Sequence, residues 1–191
     1  MENGLSLKEK IEAENEAFEQ MTNAEKRVRI AEDCIERIRL EQITASKGMV
    51  VEFGFNKNKS ENLKELLNDG IQCKACAKGG LFLSYVGRVN NFEKCEIQND
   101  NRENDNEHQK LLEVFDIKQL ALIEAAFEGK PYLSVSLRGN TQKYRKFFKK
   151  HGGKYDYNDF EYPVSEDADD NNNRLIAICE NIIANKGTFV L

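Results

Sequence analysis

The chain is short of the patterns by which many enzymes can be read directly from sequence. No glycine-rich phosphate loop, no His-Glu-x-x-His and no Gly-x-Ser-x-Gly occurs in its 191 residues. Histidine, the commonest general acid or base, appears only at His108 and His151. Catalytic groups can converge from distant positions, so an enzyme with a dispersed site stays open, but the balance leans against one. Long apolar runs are also missing. The stretch from Gly79 to Val86 falls far short of the ~20 residues that a bilayer-spanning helix needs, so no membrane partner is expected. The start of the chain alternates acids and bases between Glu2 and Glu19, without the basic-then-apolar order of an export signal. Five cysteines are an odd number for a disulfide framework, which predicts reduced thiols and a cytoplasmic setting. Nor is there a basic excess. A net charge of -5 excludes a surface given over to nucleic acid, while leaving room for a local basic patch.

What is present is helical periodicity. Residues 1–21 read as a charged N-terminal helical extension, with Leu7, Ile11, Phe18 and Met21 as its apolar stripe and Glu14 standing where the stripe should continue. Such a helix is stable only when docked on the body or on another chain, so residues 5–21 are a candidate homo-oligomer contact. Residues 22–191 read as one compact helical domain. Thr22 and Glu25 form a capping box, and behind it Ala24, Val28, Ala31, Ile35 and Ile38 predict a core helix over 24–42. Further helices are predicted at 60–68, at 73–90 as the central buried one, from Leu111 to Phe115, and at 117–128, 141–150 and 174–185. Short strands are expected near 49–53 and 132–137, which makes the fold class mainly α. The stretch 96–109 is read as a polar insertion and Asp167 to Asn173 as a polar linker. Glu32, Asp33 and Glu124 are expected to be exposed carboxylates on amphipathic helices.

Two constellations could carry function. Cys73-x-x-Cys76 has the spacing of a zinc half-site, which Cys95 and His108 would have to complete. On one helical face the same pair is ordinary core, and that is the preferred reading: no metal and no cofactor is assigned. The second constellation is a segregation of charge. Seven bases and no acid lie between Arg138 and Lys154, and seven acids and no base between Tyr155 and Asp170. Lys143, Arg145, Lys146, Lys149 and Lys150, interleaved with Tyr144, Phe147 and Phe148, would neutralise phosphates while the rings stack on bases. An ordinary helix with an aromatic core face and a solvated basic face has the same composition, and the acidic block could fold back on the basic one.

Four fragments resemble an uncharacterised helical family of bacteria, phages and mobile elements. They begin at Arg29 (Arg-Ile-Ala-Glu-Asp-Cys-Ile), Cys73 (Cys-Lys-Ala-Cys-Ala-Lys-Gly-Gly-Leu-Phe-Leu-Ser), Gln119 (Gln-Leu-Ala-Leu-Ile-Glu-Ala-Ala-Phe-Glu) and Arg174 (Arg-Leu-Ile-Ala-Ile-Cys-Glu-Asn-Ile-Ile-Ala-Asn-Lys-Gly-Thr-Phe). The resemblance implies a single helical domain of phage or mobile-element origin, and since the family has no assigned activity it carries over no functional residue. With it, the sequence reading is a non-enzymatic interaction protein, an accessory factor acting on a host component. The alternative is a module that binds a nucleotide or nucleic acid through 138–154.

Overall fold

The protein is described here from a computed structural model covering residues 7–48, 50–54, 60–89, 92–97, 105–156, 162–163 and 167–191; side chains are described from residue 13 onward within the first helix. That helix, α1 (Leu7–Gln20), holds the body through Phe18, whose ring is buried 6.2 Å from that of Tyr85. The capping box is formed as the sequence predicts: Glu25 N–H donates to Thr22 Oγ1, and Thr22 N–H donates to Glu25 Oε2 at 2.8 Å. It starts α2 (Asn23–Arg39), which buries Ile30, Ala31, Cys34, Ile35 and Ile38. Ala24 and Val28, expected on the same inward face, are only half-buried because the core ends before the first turns of α2.

A small sheet interrupts the helices. β1 (Ile43–Ala45), β2 (Val51–Phe53) and a third strand, β3 (Cys73–Ala75), follow around the short α3 (Leu63–Asn68). β3 lies in the middle, parallel to β1 with Ile43 beside Cys73, and antiparallel to β2 with Phe53 beside Cys73. β2 lies within the strand expected at 49–53, whereas the helix expected over 73–90 is corrected at its start. Cys73 and Ala75 point inward and Lys74 outward, a period of two that pairing on both sides of β3 stabilises. The helix proper, α4 (Ala77–Val86), begins only after Cys76, and all of its residues are buried. Its paired glycines have a specific reason. A Cβ on Gly79 would sit 1.7 Å from the Val50 carbonyl oxygen, and one on Gly80 would press on Leu175 and the Cys34 sulfur. The segment entering β2 therefore crosses directly over the first turn of α4.

After a 3-10 turn at Lys94–Glu96 come α5 (Asn106–Leu111) and α6 (Ile117–Glu128). α5 corrects the end of the polar insertion expected over 96–109: Asp105, Glu107 and His108 are buried against the body. Gly129, with φ 80°, ends α6 in the left-handed conformation that glycine adopts most cheaply. The strand expected at 132–137 does not form, since no described segment pairs with it; its Leu133 is held instead by a side chain of α6. α7 (Thr141–Lys150) matches its expected bounds. A two-residue antiparallel pair, β4 (Tyr155–Asp156) with β5 (Tyr162–Pro163), leads to α8 (Ala168–Ala184). α8 begins six residues before the expected Arg174, because Asp167 caps it by accepting from Asp170 N–H and turns most of the predicted polar linker into helix. α4 runs through the centre, with α2, α5 and α6 packed on it and α8 lying along α2. No helix among the described residues is long and apolar enough to cross a membrane.

Candidate functional site

α7 has two faces of opposite character. Tyr144 and Phe148 are buried, and the half-buried Phe147 packs edge-on to Phe189 at 5.5 Å and beside His151 at 4.4 Å. Lys143, Lys146, Lys149 and Lys150 stand in solvent on the other side, with Arg145 half-buried. Arg145 and Lys149 lie over the Tyr155 ring, 5.7 and 5.5 Å from its centroid. Among the described residues, no carboxylate comes within ion-pair distance of Lys143, Lys146 or Lys150. Lys149 and Lys150 also sit in the last turn, where the helix dipole favours positive charge. The five basic residues expected to bind an anion thus share one helix. Of the three rings expected to stack on bases, Tyr144 and Phe148 are instead the helix's attachment to the core, and Phe147 is half-buried and packed on Phe189 and His151. Half of the acidic block that the sequence sets beside them, residues 157–161 and 164–166 with Asp159, Glu161 and Glu166, lies outside the described residues, while Asp167, Asp169 and Asp170 belong to the start of α8.

Phe148 is the anchor. Its ring lies 4.3 Å from the Arg174 guanidinium, 4.9 Å from Lys47 Nζ and 5.0 Å from the Tyr155 ring, and a Cβ on Gly129 or Gly153 would collide with it. Arg174, fully buried, donates to the Phe127 carbonyl at 2.8 Å and to the His151 carbonyl at 3.2 Å. One guanidinium therefore satisfies orphan carbonyls at the ends of both α6 and α7. His151, beside it, has its pKa lowered by burial and by the charges of Lys150 and Arg174. It adds no reliable positive charge near neutral pH.

Behind α7 the interior holds further charge. Lys78 Nζ meets Glu124 Oε1 at 2.7 Å with both residues 3% exposed, and Glu124 Oε2 accepts from the N–H groups of Tyr132 and Leu133. Glu128 Oε1 accepts from Gly48 N–H at 3.2 Å. Glu124, expected at the surface, is buried because it has this work to do: each interior carboxylate ties an irregular segment to α6. The sequence signal for the pair was a single lysine, Lys78, inside the most apolar stretch of the chain. Burial raises the Glu128 carboxyl to about 7, against the helping charges of Lys47 and Arg174.

Cys73 and Cys76 are both buried thiols. Burial pushes Cys73 up to about 12, and burial together with the charge of Glu128 does the same to Cys76, so both stay protonated. Cys73 lies on β3 and Cys76 caps α4, so they do not share the helical face that their spacing suggested. No group of three or more metal-ligating side chains converges among the described residues. Where Lys78, Asp105, Glu107 and His108 approach one another, the cavity is about 10 Å³, the size of one water rather than a substrate. Comparisons with protein-family models, curated proteins and solved structures return no match.

Proposed function

We propose that the chain is a non-enzymatic interaction protein that takes a polyanion on the outer face of α7. The observation carrying this reading is the exposed row of Lys143, Lys146, Lys149 and Lys150 on a helix whose other face is locked into the core. A helix rises 1.5 Å per residue, so Lys143, Lys146 and Lys150 stand at roughly 5 Å intervals along it, matched to a charged polymer backbone rather than to one small ion. With Tyr144 and Phe148 buried and Phe147 packed on Phe189 and His151, recognition rests on phosphate charge rather than on base stacking. The sequence resemblance implies a phage or mobile-element origin, and in that setting the chain would be an accessory factor acting on a host component.

The test is titration of fluorescent single-stranded and duplex oligonucleotides of mixed sequence at several salt concentrations. Four lysine–phosphate contacts predict that log K falls with log salt with a slope of roughly -3 to -4, and that little depends on sequence. Replacing the four lysines by glutamine should remove binding and leave the fold intact. Absence of binding at low salt, or equal binding by the glutamine variant, refutes the reading.

A further inference from the structure

The outer face of α7 offers charge without a stacking surface, but an exposed ring stands on the neighbouring segment. Tyr132, three residues beyond the Gly129 that caps α6, is 42% exposed. Its backbone is fixed, because the N–H groups of Tyr132 and Leu133 both donate to Glu124 Oε2, at 3.2 and 3.1 Å, and the Leu133 side chain is buried. The ring is thus presented on a rigid base, which lowers the entropy lost when a ligand packs on it. Lys130 Nζ lies over the ring, 4.7 Å from its centroid, and no other ring or cation among the described residues packs on it. The two acids of this end of α6 do not oppose that charge at the surface: Glu124 is turned inward to Lys78, and Glu128 is buried.

Tyr132 is near enough to α7 for one ligand to reach both. Lys149 Nζ lies 5.5 Å from the centroid of the Tyr155 ring, and Tyr155 Oη donates to the Gly129 carbonyl at 2.7 Å. From Gly129 the chain reaches Tyr132 in three residues, a span of at most roughly 11 Å. A polymer held by Lys146 and Lys149 can therefore pass on to Lys130 and Tyr132. In a duplex the bases are paired and stacked on one another, whereas the bases of a single strand can splay out and lie on an aromatic side chain.

We infer that Tyr132 is a base-stacking residue, and that the polyanion taken on α7 is single-stranded nucleic acid in preference to duplex. This rests on the polyanion reading of α7 and narrows it. The lysines of α7 hold phosphates, Tyr132 takes one base on its exposed surface, and Lys130 stands beside that base as a partner for its phosphate. Stacking is tolerant of base identity, so the ring adds selectivity for strand form and not for sequence.

Binding of the full chain to mixed-sequence oligonucleotides of equal length, single-stranded and duplex, tests this. The single strand should bind more tightly. Tyr132→Ala should weaken single-strand binding by about five- to a hundredfold and leave duplex binding unchanged, while Tyr132→Phe, which keeps the ring, should retain the native affinity. Tyr132 serves the fold through its backbone, so each variant should keep the native circular dichroism spectrum. The sequence contains no tryptophan, so in Tyr132→Trp the new indole is the sole one, and its emission should be quenched by the single strand but not by the duplex. An equal loss on both forms, single-strand binding that survives Tyr132→Ala, or an indole emission unmoved at saturation each overturns the inference and leaves the α7 reading standing. If no oligonucleotide binds the native chain at low salt, the α7 reading fails and this one with it.

Discussion

Lys78 and Glu124 form an ion pair of 2.7 Å across the α4–α6 contact, closed off from water on every side. Taking both charges out of water is costly, and the pair is held because Glu124 also anchors the backbone at Tyr132 and Leu133. Removing one partner is therefore much worse than removing both. Lys78→Met should destabilise the protein by about 3–5 kcal/mol in urea unfolding, by stranding a buried carboxylate. Lys78→Met with Glu124→Gln, which keeps an acceptor for the two N–H groups, should recover a large part of that loss.

Glu128 sets a pH dependence of definite sign. Its carboxyl titrates near 7 in the fold against an ordinary 4.5, so between those values the folded chain holds a proton that the unfolded chain has lost. The stabilisation is complete below 4.5 and disappears as pH rises through 7, a difference of about 3 kcal/mol. Unfolding free energies measured from pH 5 to 8 should fall with rising pH by that order. In Glu128→Gln the decline attributable to this group should vanish.

Gly79→Ala should be far worse than an alanine in a helix usually is. Helix propensity alone favours the change by about 1 kcal/mol. Here the new methyl group meets the Val50 carbonyl oxygen, which is backbone and crosses α4. Backbone displacement in a packed interior costs about 1–3 kcal/mol or more, so the net effect should be a lowered urea midpoint. Gly139→Ala, where no atom lies within 4 Å but φ is 80°, is the comparison: strain without a clash, expected to cost about 1 kcal/mol.

Thiol labelling should separate the cysteines cleanly. Cys95 is exposed, whereas Cys34, Cys73, Cys76 and Cys179 are buried. Native protein should take up one equivalent of a maleimide, at Cys95 by peptide mapping, and unfolded protein five. Rapid native labelling at Cys73 would contradict the placement of β3.

Much of the helical framework was legible because helices write their period locally. The Thr22–Glu25 box, the stripe of α6 and the two faces of α7 need no knowledge of distant residues. The sheet was not legible in the same way. Cys73 to Ala75 becomes a strand only because Ile43–Ala45 and Val51–Phe53 come to lie on either side of it, and three-residue strands leave little pattern of their own. The buried charges were hidden for a related reason. Glu124 carries the helical spacing of a surface acid until the chain after Gly129 turns back and presents two N–H groups to it. At the candidate site the basic residues could be read from composition, but the fate of the rings could not, because burying Phe148 depends on Arg174, Lys47 and two glycines from other segments.

The packing of α2 along α8 bears on the order in which the protein can fold. α2 precedes α8 by more than a hundred residues, and the backbone around Gly187 is clasped by Arg27 of α2. Until α8 docks, Ala31, Cys34 and Ile35 of α2 lack the surface that covers them. Closure then joins segments more than a hundred residues apart, a long-range contact that slows folding and lengthens the time for which the nascent chain shows apolar surface.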